Sequence, residues 1–184
     1  MKTVALFGGS FNPVHVAHQM VMLYVLEACD VDELWMIPTY RHVFGKELAA
    51  FEEREKMCQL SARLFSGRVS VSSIEKEMDQ PTSRALDTVL ELKKRHPGFA
   101  FRWVIGSDIL LETEQWHRWD RVKEEAPPLV IAREGYPSEN TKNSVAIPPV
   151  SSSAIRKLLK NGESPDGLLS RPVLRYIVER ELYR

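Results

Sequence analysis

The amino-acid sequence predicts an α/β protein: a doubly wound parallel sheet with helices on both faces and a helical C-terminal part. Three observations carry that expectation. Short apolar runs alternate with helical stretches through most of the chain, a pattern that joins parallel strands by helical crossovers. Glycines close two of the apolar runs, at Gly8-Gly9 and at Gly106, and sheets of this class bind ligands beyond the carboxyl ends of their strands. From Ser151 onward the pattern is helical.

The elements follow in order. TVALFG (Thr3–Gly8) reads as a short buried strand, and HVAHQMVMLYVLEA as a helical apolar run. ELWMIP (Glu33–Pro38) is a second strand, stopped by its proline. FEEREKMCQLSARLF places Phe51, Met57, Leu60 and Leu64 at roughly helical spacing with charges between them. RVSVSSI alternates like a half-exposed strand, and SRALDTVLELKKRHPG reads as a helix closed by basic residues and Pro97-Gly98. FAFRWVIG and PLVIARE are further strands; SSSAIRKLLKNG and RPVLRYIVERELYR are helices expected to pack back on the same core. The whole, residues 1–184, is expected to form one domain without repeats or linkers.

Composition bounds the function. The chain has 184 residues, 43% of them hydrophobic, and 25 basic against 25 acidic side chains. A neutral balance argues against a nucleic-acid partner. Cys29 and Cys58 stand alone, as reduced thiols in a cytoplasmic protein do. The apolar run in MKTVALFGG is too short for a signal peptide, and no stretch is long enough to span a bilayer. The expectation is a soluble, cytoplasmic protein with no membrane partner.

The chemistry concentrates in three stretches. In GGSFNPVHVAH, Gly8 and Gly9 leave backbone amides open to a phosphate, and His15 and His18 stand at i and i+3 beside a helix N-terminus that attracts anions. Either imidazole is expected to be protonated near neutral pH, making an electrostatic trap for a polyphosphate. The same pair also fits ordinary packing, or a metal site for which no third ligand is in place. No G-x-G-x-x-G follows the first strand, and Gly45-Lys46 is followed by Glu47, so no Walker loop is present. In SSSAIR, serine hydroxyls cap a helix start, and Arg156 shares the face of Ser152 and Ser153, a second phosphate site. In VIGSD, Asp108 follows a strand end, where it suits ribose hydroxyls or a helix cap. Trp116 and Trp119 are expected on one helical face, either in the core or stacked on a ligand ring.

Together these stretches resemble the HxGH-type nucleotidyltransferase superfamily, and more narrowly the bacterial nicotinate-nucleotide adenylyltransferases, nearly end to end. GGSFNPVHVAH is similar to the family's GG(T/S)F(D/N)PxHxGH except at Ala17; VIGSD is similar to IIGxD, VSSSAIR to ISSTxIR, and the C-terminal stretch to the family's ending. The resemblance implies a Rossmann-like fold and transfer of AMP from ATP, with Mg²⁺, to nicotinate mononucleotide in NAD biosynthesis. It implies catalytic roles for His15, His18 and Arg156. ATP contacts would come from Gly8, Gly9, Ser10, Phe11, Gly106, Asp108, Ser151, Ser153 and Arg156. Pyridine-nucleotide contacts would come from Lys46, Thr88 and Trp116. A homodimer is compatible with the resemblance, and no protein-bound resident metal is implied. The chain departs from the family at the P-P-H-K loop, where Arg41, His42 and Lys46 compete for one role, and at Y-T-x-x-T, where Arg84 and Ala85 replace Tyr-Thr. Alternative readings are an enzyme for nicotinamide mononucleotide or phosphopantetheine, or a non-catalytic nucleotide binder of the same fold.

Overall fold

The computed structural model describes residues 1–42, 47–113, 116–137, 139–141 and 145–184. Five strands form one parallel sheet in the order β3-β2-β1-β4-β5: β1 (Lys2–Gly9), β2 (Glu33–Pro38), β3 (Val69–Val71), β4 (Phe99–Gly106) and β5 (Pro128–Ile131). The helices described are α1 (Val16–Ala28), α2 (Phe51–Ala62), α3 (Ile74–Met78), α4 (Ala85–Arg95), α5 (Trp119–Glu125), α6 (Ser152–Lys160) and α7 (Arg171–Glu179).

Strand alternation divides the core into two layers. Val4, Leu6, Phe101, Trp103 and Ile105 pack with Val89 and Leu92 of α4. Ala5 and Val104 face the other way, onto Val21 and Met22 of α1, Met57 of α2, Ile155 of α6 and Val173 and Ile177 of α7. The C-terminal helices are thus part of the main core, as the sequence predicts, and helices cover both faces in a Rossmann-like arrangement.

Chain order reverses at β1, because β2 and β3 lie on one side of it and β4 and β5 on the other. The register shows how this opens a site. β1 pairs with β4 only as far as Leu6↔Trp103, whereas β1 stays paired with β2 to Gly9↔Pro38 and β4 with β5 to Gly106↔Ile131. The two central strands therefore part at their carboxyl ends, at the switch point where ligands of such sheets bind.

Several local expectations are corrected. The strand expected over RVSVSSI stops at Val71, and Ile74 opens the short helix α3 with its side chain 2% exposed in the core. α5 lacks any clear signal in the sequence. Trp116 and Trp119 do not share a helix: Trp119 begins α5, Trp116 precedes it, and Arg118 between them is left-handed (φ 52). Their rings meet edge to face at 5.3 Å instead.

Candidate active site

A cavity of about 410 Å³ fills the cleft between β1 and β4, a size suited to nucleotide-scale ligands. The sheet gives it two sides: Ser10 and His18 line it on the α1 face, and Arg84, Ala85 and Trp116 on the α4 face. Gly8, Gly9, Gly106, Asp108 and Arg133 lie at the strand ends between them.

The glycines have a different first task from the one the sequence suggests. A Cβ on Gly8 would stand 2.8 Å from the Trp103 ring, and one on Gly9 3.1 Å from the Phe11 ring. Side chains of the protein fill the space a Cβ would take, while both glycines line the cavity. Gly106 makes room for function more directly: its Cβ would fall 2.2 Å from Asp108 Oδ1 and 3.2 Å from Arg133 Cγ. Phe11 is 2% exposed and left-handed at φ 46, a strained conformation for a bulky residue, held by packing against Phe7 and His18.

The histidine pair is built by helix capping. His15 is the N-cap of α1 and His18 the third helical residue, and the His15 backbone N–H donates to His18 Nδ1 at 3.1 Å. That bond leaves the His18 proton on Nε2. The two imidazoles stack with centroids 3.7 Å apart, and Phe11 abuts His18 at 5.1 Å. Among the described residues His15 Nδ1 is buried without a hydrogen-bond partner, so one polar atom beside the cleft is unsatisfied.

The expected charge on this pair is corrected by its surroundings. Burial first, and then the Arg133 guanidinium, bring His15 down to about 4. Burial, His15 and Arg133 hold His18 well below its ordinary value. Both rings are neutral donors in the ligand-free protein at neutral pH, and an arriving polyphosphate would raise both values by supplying the missing negative charge.

A stability prediction follows, with its sign set by linkage. Between pH 6.5 and about 4 the unfolded chain binds a proton at His15 that the folded protein refuses. Stability therefore falls with pH across that window, by on the order of 3 kcal/mol from His15. Burial pushes the Glu75 carboxyl upward, which works in the opposite sense. Comparison with His15→Asn isolates the histidine: urea midpoints measured from pH 7 to 4 should decline less steeply in the variant.

Arg133 and Ser107 were not singled out in the sequence. The Ser107 hydroxyl donates to the Tyr136 carbonyl at 2.7 Å and accepts from the Arg133 N–H at 2.9 Å, pinning the turn after β5. Arg133 Nε then faces Asp108 Oδ2 at 3.7 Å. The position of Arg133 just beyond a strand end was the available signal. Asp108 makes no side-chain cap and directs its carboxylate to this pair instead.

The serine-arginine stretch lies outside the cavity wall but against the turn that forms it. Ser151 caps α6 by accepting from the Ala154 N–H at 3.2 Å. Ser152 donates to the Pro13 carbonyl at 2.8 Å. Arg156 donates to the Asn12 carbonyl at 2.7 Å and to Ser153 Oγ at 3.2 Å. α6 thus braces the Asn12-Pro13 turn, while Arg156 has further N–H groups beyond those two bonds.

On the α4 face, Thr88 does not reach the cavity. It is fully buried, and its hydroxyl shares its one proton between Glu75 Oε1 at 3.3 Å and the Arg84 carbonyl at 3.1 Å. Glu75 itself lines the cavity and accepts from the Tyr40 N–H at 3.0 Å. Of the three residues competing for the loop role, Arg41 pairs with Asp79 at 2.7 Å and donates to the carbonyls of Asp79 and Gln80. His42 lines the cavity, and Lys46 lies outside the described residues. Arg54 also escaped notice in the sequence. It is 2% exposed, reaches the Ala49 carbonyl at 2.9 Å and the Ser10 carbonyl at 3.0 Å, and puts a buried cation behind the turn between β1 and α1.

Among the described residues no three His, Cys, Asp or Glu side chains converge as a metal site, and no helix is long and apolar enough to cross a membrane. The arrangement is a split cleft: His18 and the β1 turn on one side, Trp103 and Trp116 on the other, and the Asp108–Arg133 ion pair at the strand ends.

Comparison with known proteins identifies the family. Residues 6–158 match the Cytidylyltransferase-like family. A protein of Anaeromyxobacter sp. (strain K), named "Probable nicotinate-nucleotide adenylyltransferase", is 43% identical over 100% of this chain and 97% of its own length. One of the same name from Bacillus pumilus (strain SAFR-032) is 32% identical over 100% and 99%. The nicotinic acid mononucleotide adenylyltransferase of Plasmodium falciparum, solved with NaAD, shares the fold with a TM-score of 0.84. It is 21% identical, with 100% of this chain and 98% of that chain covered. With a strand-loop-helix turn carrying both histidines, a cleft at the sheet's switch point and full-length relatives on this scale, the chain belongs to the nicotinate-nucleotide adenylyltransferase family of nucleotidyltransferases.

Proposed function

We propose that the cleft transfers AMP from ATP to nicotinate mononucleotide, releasing pyrophosphate. The observation that carries this reading is the two-sided cleft itself, which sets His18 and the β1 turn opposite Trp116 across the parted strands. The acceptor phosphate attacks the α-phosphorus, the α–β bridging P–O bond breaks, and the electron pair leaves with pyrophosphate. The nucleophile is already an anion, so no protein base is needed, and positioning with charge stabilisation supplies the rate.

His18 Nε2–H and the His15 ring serve the α-phosphate, with the Gly8–Phe11 turn against the phosphates. Ser151, Ser153 and Arg156 receive the outer phosphates at the α6 N-terminus. Gly106 and Asp108 hold the adenosine ribose, and Trp116 stacks on the pyridine ring. With Thr88 behind the wall, the pyridine end meets Ser83, Arg84 and Ala85. A divalent ion would enter as MgATP, with phosphate oxygens as its ligands, which suits a hard cation. The protein acts in the cytoplasm.

Trp116→Ala separates the two subsites. It should raise KM for the pyridine nucleotide about tenfold or more through lost stacking, with KM for ATP within about twofold. Equal effects on both substrates would remove Trp116 from the pyridine side.

A further inference from the structure

Asn12 is the point where three remote parts of the chain meet. Its Oδ1 accepts from the Ala49 backbone N–H at 3.2 Å and from the Tyr183 hydroxyl at 2.8 Å, while its carbonyl accepts from Arg156 at 2.7 Å. The residue is 2% exposed. It follows the left-handed Phe11 and stands three residues before the N-cap His15. A turn that leaves a bulky residue at positive φ keeps its shape only when its surroundings hold it there, and here the holding bonds come from outside the turn.

Tyr183 is itself firmly seated. α7 is anchored by Val173 and Ile177 in the core, and Tyr176 and Arg180 both bind Glu53, at 2.6 and 2.7 Å. Burial pushes the Tyr183 hydroxyl above its ordinary value, so it stays a donor across the working pH range. Both bonds to Oδ1 use position 12 only as an acceptor, which an Asp oxygen provides equally well.

We propose that Tyr183 is a positioning residue for the transfer step: through Asn12 its hydroxyl holds the turn before His15 in the geometry that presents the His15–His18 pair to the reacting phosphate. This rests on the adenylyl-transfer reading above. Tyr183 does not line the cleft; it acts through Asn12, and its loss bears on turnover rather than on substrate binding.

The test uses the full chain with MgATP and nicotinate mononucleotide. Tyr183→Phe keeps the ring and removes only the hydroxyl. It should lower kcat about tenfold, with KM for both substrates within about threefold and Tm within about 3 °C of wild type. Asn12→Ala should fall as far, Asn12→Asp should recover most of that loss, and Asn12→Ala with Tyr183→Phe should be no worse than Asn12→Ala alone. Unchanged kcat in Tyr183→Phe, a raised KM at constant kcat, or a lowered Tm with full turnover would each overturn the proposal. The imidazole ¹⁵N signals of His15 and His18 give a readout independent of turnover. They should move in Tyr183→Phe, and unmoved signals overturn the proposal even if the wild-type chain releases no pyrophosphate, an outcome that would separately remove the adenylyl-transfer reading.

Discussion

His18→Ala is expected to lower kcat at least a hundredfold while the protein stays folded. A preorganised donor aimed at developing charge is worth about 3–4 kcal/mol, a hundred- to thousandfold in rate. His18 meets that description because its Nδ1 is occupied by the His15 N–H, its ring is clamped between His15 and Phe11, and its remaining proton points from Nε2. Being neutral before ATP arrives, it pays no cost of separating from a prior counter-ion. The substitution also frees the His15 N–H at the start of α1, a loss of about 1 kcal/mol of capping. His18→Gln provides the control, since Gln at this helical position can reach back to the N-cap amide without an imidazole. Single-turnover rates should collapse in both variants, with the urea midpoint close to wild type in His18→Gln and lowered by the capping loss in His18→Ala. Retained turnover in His18→Ala would contradict the assignment.

Gly106→Ala should damage ATP use almost as severely by a different route. The added Cβ would lie 2.2 Å from Asp108 Oδ1 and 3.2 Å from Arg133 Cγ, so both side chains must leave their places. Asp108 and Arg133 are partly exposed and able to swing away, so the fold should tolerate the change. On the proposed reading the nucleotide would then lose the Asp108 carboxylate as an acceptor for its ribose, and the Arg133 guanidinium beside it. Hydrogen bonds to charged groups contribute about 1.5–3 kcal/mol each, which makes the combined effect at least about a hundredfold in kcat/KM for ATP. Circular dichroism and Tm should change little. A Gly106→Ala enzyme with an unaltered KM for ATP would mean that this corner of the cleft does not hold the nucleotide.

Much of the fold was legible because its central strands are buried on both faces. β1, β2 and β4 read as continuous apolar runs, and their ends fall within one or two residues of the observed ones. α3 and α5 were not legible. With five and seven residues, they are too short to display a periodic apolar face and are fixed by tertiary packing through Ile74 and Val122. The tryptophan spacing misled for a related reason: a left-handed Arg118 breaks the helix that the spacing assumed.

The candidate site divides in the same way. His15, His18, Gly106 and Asp108 belong to short local motifs, and the structure brings them to one cleft or its edge. Their charge state was not legible, because it depends on burial and on Arg133, more than a hundred residues away in the chain. Arg54, Glu75 and Tyr183 carry no local signature: a buried arginine on two carbonyls or a tyrosine on Asn12 exists only once remote segments meet. Gly8 and Gly9 line the cleft, and their lack of a Cβ also makes room for the Trp103 and Phe11 rings, a packing role that only the folded chain reveals.

The most direct test is to incubate the purified chain with MgATP and either nicotinate or nicotinamide mononucleotide, quantifying pyrophosphate and dinucleotide together. The account predicts pyrophosphate and nicotinate adenine dinucleotide in equal amounts with the acid, and much slower release with the amide. No release with the acid, from protein that still binds ATP, would contradict it.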